Sequence, residues 1–531
     1  MGILWHNGNI YTMIQEGDRV EAVFTENGKI TAIGSKQELQ QAFKKRITEE
    51  KDLQRGTMIP GLVDSHMHLI GYGEKLLRLD LSHMKSKKQV LAAVAYRVSK
   101  TEGNEWIIGE GWNENLWEEA DIIVRSELDR IAPNHPVLLK RTCRHALVVN
   151  SKALAMAKID ESVVEPEGGI IERDGANLLN GLFKDKAQNL MIDALPPVSK
   201  EYLERALREA VKSCWSFGLV GVHTEDMSYY GSFDQTYGAF CQVIETGDYP
   251  FKAHLLVHHE VIDEWKKEGH SFLSGGEYLE WGAMKIFADG ALGGRTALLS
   301  HPYQDDPSTN GVAIHSSEAL AQLVKKARNL DLPIAVHVIG DLAFQLSLEA
   351  VKKHPTNSLR RDRFIHGQIL RKELIEEAKE LPMIIDIQPQ FVSSDFPWVV
   401  NRVGEENMSY NYAWKTLLEE GITLAGGSDA PIEDSNPLLG IHAAISRSVD
   451  VEGKSVIFQQ DEQLSRYEAI SLYTKGSAYA SHHEKDRGMI SVGYSADFTV
   501  FEKNPFCIPL DDIPGLACRM TVINEQVVYK K

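Results

Sequence analysis

Two histidines two residues apart, His66 and His68, close the run MIPGLVDSHMH. An apolar run ending in His-x-His reads as a buried strand. The pleat sends alternate side chains to one face, so residues i and i+2 can grip a single cation. Neutral imidazole is a common zinc ligand, which makes metal chemistry the chemistry to look for. Alone the pair is a weak signal, because a lone buried histidine is more often a satisfied core residue. Its weight comes from other strand ends. GAMKIFADG carries Lys285, IAVHVIGD carries His337, RFIHGQ carries His366 and TLAGGSDAP carries Asp429. Each has a plain structural reading too: Lys285 pairing with Asp289, or Asp429 capping the helix that follows. Jointly, four imidazoles, a lysine and a carboxylate from five strand ends describe a metal site.

The elements that must position them follow from the pattern. β-rich runs at 59–66, 219–224, 252–258, 282–289, 333–338, 363–367, 383–388 and 422–428 alternate with helix-like stretches such as SSEALAQLVKKARNL and KELIEEAKEL. Eight such alternations predict an α/β fold, a (β/α)8 TIM barrel, whose functional side chains gather at the C-terminal ends of its strands. A large insertion must follow strand 1, at about 70–200, with strand- and helix-like segments of its own (EWIIGEGW, HPVLLKRTCRHALVVNSKAL, KEYLERALREAVKSC). On a βα loop it would sit above the catalytic face as a lid or specificity module. Residues 1–58 read as short strands with hairpin signals at Asn7-Gly8 and Asn27-Gly28. ADFTVFEKNPF and RMTVINEQVVYKK, within 485–531, are strand-like again. Residues 1–58 and 485–531 are therefore expected to form one small β-sandwich domain, with the barrel, 59–484, inserted between them.

Bulk properties bound the function. A chain of 531 residues with 43% apolar and 25% charged residues suits a large globular enzyme. A formal charge of −18 disfavours nucleic acid and anionic membranes as partners. Five scattered cysteines without a C-x-x-C pair argue against a disulfide framework and fit a reducing cytoplasm. The N-terminal run shows no signal-peptide pattern, and no stretch approaches the roughly 20 apolar residues of a membrane span.

With PGLVDSHMHL, GEGWNENLW, HALVVNSKAL, MKIFADGALGGRTA, AVHVIGD, FIHGQ, GGSDAP and GMISVGYSADFTVFEKNPF in view, the chain resembles the amidohydrolase superfamily, and within it the YtcJ-like, amidohydrolase-3 type of metal-dependent hydrolase. The resemblance implies a distorted TIM barrel holding one or two divalent metal ions, zinc being expected, beside a β-sandwich. It implies that His66 and His68 hold the more buried metal, that His337 and His366 hold the second, and that Asp429 touches metal and serves as general base. Lys285 matches a lysine that, in two-metal members, is carboxylated by CO2 and bridges the ions. The implied reaction is attack of metal-bound hydroxide on a carbon–nitrogen bond of a small molecule, with a homodimer a common assembly. An esterase or lactonase on the same centre, and an inactive scaffold, are the alternatives.

Four further residues are candidate substrate contacts. His145 could reach the substrate carbonyl, or be structural. Arg295, on a glycine-rich loop, could clamp a carboxylate or pair with Asp289. Trp112 could wall the pocket or belong to the core of the insertion. His223, at the end of strand two, would face the mouth if the register holds.

Overall fold

The computed structural model describes residues 2–101, 103, 105–117, 122–142, 145–357, 359–451 and 453–531. Cys143 lies outside them. The chain divides into two compact units, Met1–Tyr72 with Leu203–Lys531, and Gly73–Tyr202.

The first unit carries the barrel. Its strands are β1 (Leu62–Met67), β2 (Leu219–Thr224), β3 (Lys252–His258), β4 (Leu279–Phe287), β5 (Ile334–Val338), β6 (Asp362–His366), β7 (Met383–Ile387) and β8 (Thr423–Gly426). They form one sheet in that order, each parallel to the next. Strands covered on both faces carry near-continuous apolar runs, as MIIDI does in β7. One inter-strand helix shows a side-chain cap: the Ser316 hydroxyl accepts from the Ala319 amide to open Ser317–Asn329, with Lys326 and Arg328 in its last turn. The expected helix KEYLERALREAVKSC runs over Lys200–Ser216 and belongs to this unit from Leu203 onward. It is thus the return helix before β2 rather than part of the insertion.

No ladder joins β8 to β1 among the described residues; a side chain does. The buried Asp64 carboxylate accepts from the amides of His66 (3.0 Å) and Ser428 (3.0 and 3.1 Å), and the Asp429 amide donates to the His66 carbonyl at 2.8 Å. The approach is so close that a Cβ on Gly427 would stand 2.6 Å from the His66 nitrogen. That requirement explains the second glycine of GGSDAP.

The remaining strands of this unit make one branched sheet. Gly2–Tyr11 pairs antiparallel with Arg19–Glu26, and parallel with Ile47–Asp52 along its first half and Thr57–Pro60 along its second. Thr57–Pro60 pairs with Phe498–Phe501, which continues to Cys518–Ile523 and Gln526–Lys530. Ile3, Trp5 and Val23 from one arm and Met58, Phe498 and Val522 from the other share one core, so the sheet folds over itself as a sandwich whose layers meet at the first strand. Asn27-Gly28 makes the expected tight hairpin, both residues at positive φ (54° and 72°). Asn7-Gly8 does not: it forms a bulge inside a continuous strand, where a Cβ on Gly8 would lie 2.6 Å from the Gly56 carbonyl.

The unit Gly73–Tyr202 has a six-stranded mixed sheet with an apolar cluster on each face, one around Trp112, Val137 and Leu139, the other around Leu138, Leu147 and Phe183. Among the described residues no helix is long and apolar enough to cross a membrane.

Candidate metal centre

The strand ends bring His66, His68, Lys285, His337, His366 and Asp429 together. Ligand atoms of His66, His68 and Asp429 all lie within 4.8 Å of one another. Asp429 Oδ1 is 3.5 Å from His66 Nε2 and 3.4 Å from His68 Nε2. Beside this trio, His366 Nε2 and His337 Nδ1 face each other at 2.9 Å, and the rings of His66 and His366 are 5.8 Å apart. Lys285 is fully buried with Nζ 3.2 Å from His66 Nε2. Two of these residues sit in left-handed backbone, His366 at φ 79° and Asp429 at φ 56°, conformations that cost a non-glycine residue energy and gather at functional sites.

The bonds on the far sides of the rings decide what the near sides can hold. His68 Nδ1–H donates to the Glu225 carbonyl (2.6 Å), and His337 Nε2–H donates to the Gly290 carbonyl (3.1 Å). His366 Nδ1 meets Gln388 Oε1 at 2.5 Å, and the Gln388 amide nitrogen donates to the Asp386 carbonyl, so the ring must be the donor. A neutral imidazole has one N–H. With it spent outward, His337 Nδ1 and His366 Nε2 present lone pairs inward, toward each other, while His68 Nε2 faces Asp429. Opposed lone pairs at 2.9 Å repel unless a cation stands by them. His66 Nδ1 is buried without a hydrogen-bond partner, which leaves its other nitrogen to carry the ring's polar interactions. The donor set fits divalent metal, nitrogen and oxygen ligands oriented from behind.

Electrostatics agree. Burial holds the imidazoles of His66 and His337 well below the usual histidine range and brings His366 down to about 4, so these rings stay neutral. Burial also opposes charge on His68, but its hydrogen bond to Asp429 and the charges of Asp429, Glu225 and Asp226 outweigh that and push it up to about 9. Burial brings the Lys285 ammonium down to about 8. Asp429 is held below the ordinary carboxylate range: burial opposes ionisation, and the bond from His68 with the neighbouring positive charges prevails.

His66, His68, His337, His366 and Asp429 line a cleft of about 430 Å3. Phe391 stacks on His366 (centroids 5.9 Å, 21°), and Tyr229 stands edge-on to His68 with its hydroxyl donating to Glu225 Oε2 at 2.6 Å. Behind the ligands, Arg363 forks onto Asp386 (2.9 and 3.1 Å) and donates to the Ser65 carbonyl at 2.6 Å, all buried.

Three expected substrate contacts are corrected. His223 does not face the mouth. β2 leads two residues further before reaching it, so Glu225 arrives there, while His223 points into the barrel at 5.0 Å from His254 and lines a separate 30 Å3 cavity with Lys252, Arg487 and Asp497. Arg295 clamps a carboxylate of its own chain, Asp305, at 3.1 and 2.7 Å. Asp289 pairs with neither Arg295 nor Lys285; its buried carboxylate accepts from the amides of Leu298, Ile339 and Gly340, fixing the β4 and β5 loops. Trp112 is core of the second unit, 1% exposed, its indole donating to the Leu139 carbonyl. His145, in that unit also, is exposed with Nδ1 3.2 Å from Asp185. Gln388, Glu225 and Asp64 went unremarked in the sequence. Gln388 ends a barrel strand as the ligands do, and that position was its signal.

With this geometry in hand, comparison with known proteins is informative. A family model described as the amidohydrolase family matches residues 49–529. The chain is 51% identical over the full length of both proteins to a Bacillus subtilis (strain 168) protein named for an amidohydrolase, YtcJ. It is 25% identical to the N-substituted formamide deformylase of Arthrobacter pascens, covering 99% of this chain and 98% of that one. The crystal structure of an uncharacterized metal-dependent hydrolase from Pyrococcus horikoshii OT3 superposes with a TM-score of 0.79 at 28% identity, covering 96% of this chain and 99% of that one.

Proposed function

The chain belongs to the amidohydrolase family, a metal-dependent hydrolase by that membership, and from this premise we propose that it cleaves a carbon–nitrogen bond of a small molecule: a non-peptide amide, an N-formyl group or a cyclic amide. In this reading His66, His68 and Asp429 hold one divalent ion, and His337 with His366 holds a second. Lys285 would join them as a carbamate: the ammonium gives up one proton, the freed Nζ lone pair forms an N–C bond to CO2 as one C=O π pair moves onto oxygen, and the nitrogen sheds a second proton, turning a buried cation beside His66 into an anionic ligand. A divalent cation, zinc in this proposal, supplies Lewis acidity toward the carbonyl and lowers the pKa of water toward about 7.

The protein's own groups do the rest. The Asp429 carboxylate, reaching the ligand set from beyond β8, takes the proton of the attacking water and delivers it to the leaving nitrogen. Gln388, Gly290 and Glu225 keep His366, His337 and His68 in the tautomers that point lone pairs inward. Phe391 and Tyr229 wall the cleft on the ligand side.

The observation that carries the reading is the outward commitment of the N–H groups of His337 and His366, since a scaffold has no use for two lone pairs turned on each other. The N-formyl option draws support from the name of the Arthrobacter relative. A homodimer in the cytoplasm belongs to the same proposal. The test is hydrolysis of a panel of N-formyl amines, acyclic amides and cyclic amides by zinc-loaded protein, with matched esters and lactones alongside. Faster cleavage of the nitrogen compounds supports the proposal; cleavage of esters and lactones alone assigns the centre to oxygen esters.

A further inference from the structure

The cleft above the ligand set has a charge pattern that hydrolysis alone does not require. Among the described residues lining it, the carboxylates of Asp395 and Glu433 join that of Asp429, and no lysine or arginine does. Two arginines stand nearby, Arg295 on a loop and Arg402 on the helix Trp398–Val403, and the charge of Arg402 reaches Asp395. Arg295 forks onto Asp305. Arg402 donates to the carbonyls of Leu292 and Gly293 and lies over Trp398, 4.6 Å from the ring centre. At the Asp395 wall, a substrate carboxylate or phosphate would face a carboxylate.

Asp395 is built into this wall. It ends the helix Gln390–Asp395, whose Phe391 stacks on His366. Its Oδ2 accepts from the Gln368 amide (3.0 Å) and the Tyr412 hydroxyl (2.7 Å). Both bonds fall on Oδ2, which leaves Oδ1 to the cleft. Tyr412 is buried and locked in turn by Arg447, which donates to its carbonyl at 3.1 Å. Gln368 lies two residues past His366, so the strand end that supplies a ligand also holds this carboxylate in place. Burial and the charge of Glu433 raise the Asp395 carboxyl, bonds from Tyr412 and Gln368 and the charge of Arg402 oppose them, and the balance at about 6 leaves it ionised above neutrality. Leu292, Phe391, Trp398 and Ile432 make the neighbouring surface apolar.

Building on the reading that a carbon–nitrogen bond is cleaved at the ligand set, we propose that the cleft selects substrates bearing an ammonium group beyond an apolar spacer, and that Asp395 receives it. The substrate class is an N-acylated or N-formylated amine with a second, basic nitrogen. A carboxylate is rigidly placed, and an apolar path adjoins it.

The test uses three probes of one length that differ only at the far end: 6-(methanesulfonamido)hexylammonium, N-heptylmethanesulfonamide and 6-(methanesulfonamido)hexanoate, which resist hydrolysis, with their N-formyl counterparts as substrates. Calorimetry on the metal-loaded protein should show the cation bound about tenfold tighter than the neutral probe, and the anion weaker than both. Asp395→Asn should collapse the cation-to-neutral ratio toward one. Should that variant not fold, salt decides: the wild-type ratio should fall between about 50 and about 500 mM, as attraction of the charged probe to the acidic cleft is screened. Equal binding of cation and neutral probe, or a ratio indifferent to Asp395→Asn or to salt, overturns the proposal. Cleavage of the N-formyl set without charge preference overturns the subsite and leaves the bond assignment standing. A charge preference without cleavage leaves the subsite standing and overturns the N-formyl assignment.

Discussion

His337 and His366 confront each other nitrogen to nitrogen at 2.9 Å, on neighbouring strands, with each ring's N–H turned away to Gly290 or Gln388. Such an arrangement is set from behind. Gln388→Ala removes the acceptor that fixes His366 and should weaken metal binding about tenfold to a hundredfold with the fold intact. Metal retained after dialysis against a graded chelator, measured by elemental analysis beside circular dichroism, is the check. Retention equal to wild type would show that the tautomer needs no such support.

Asp429→Asn should lower turnover by about two to four orders of magnitude while part of the metal stays bound, because the amide keeps an oxygen ligand but cannot take a proton. Rates near wild type would remove Asp429 from proton transfer.

Lys285→Ala should reduce the metal bound per chain, and wild-type protein grown with 13C-bicarbonate should show a carbamate carbon resonance that the variant lacks. An unchanged stoichiometry would place Lys285 outside the centre.

Arg363 and Asp386 form a buried, forked ion pair under the ligands. Breaking it one-sidedly leaves a charge in the core, so Arg363→Met should cost about 3–5 kcal/mol in urea unfolding. Adding Asp386→Leu should recover much of that loss. Because the guanidinium also holds the Ser65 carbonyl, the double variant should still bind metal less well.

Asp395 gives a pH signature. Its carboxyl is raised to about 6 in the folded chain, against about 3.9 unfolded. A raised acid stabilises the fold below its unfolded pKa, and that contribution is lost as pH climbs through the folded value. Asp395→Asn does not titrate. Its stability relative to wild type should therefore improve between pH 4 and pH 8, by about 2 kcal/mol. Thermal unfolding of both chelated proteins across that range measures it, and a flat difference would mean the carboxyl titrates normally.

The barrel was legible because parallel strands covered on both faces must be apolar runs, and because polar residues at the ends of such runs stand out. That rule finds His66, His337 and His366 directly. It failed by one pleat repeat at His223, since a strand's last residue in the mouth depends on barrel stagger, which local pattern does not encode. Glu225, two residues on, takes the place. Trp112 illustrates a different limit: an aromatic beside a glycine-rich run looks the same whether it lines a cleft or fills a core. Asn7-Gly8 shows a third, since the bulge it makes answers to Gly56, 48 positions along the chain. Asp395 was invisible, because its place depends on Gln368 and Tyr412 arriving from other elements.

The pairing of Thr57–Pro60 with Phe498–Phe501 has a consequence in time. Some 440 residues separate the partners, which a ribosome adding about 5–20 residues per second needs roughly 20–90 seconds to make. Throughout that interval the N-terminal strands are already synthesised and one edge has no mate. The nascent chain therefore carries an open strand edge for as long as the barrel takes to emerge, and the second arm of the sandwich closes over it only afterwards.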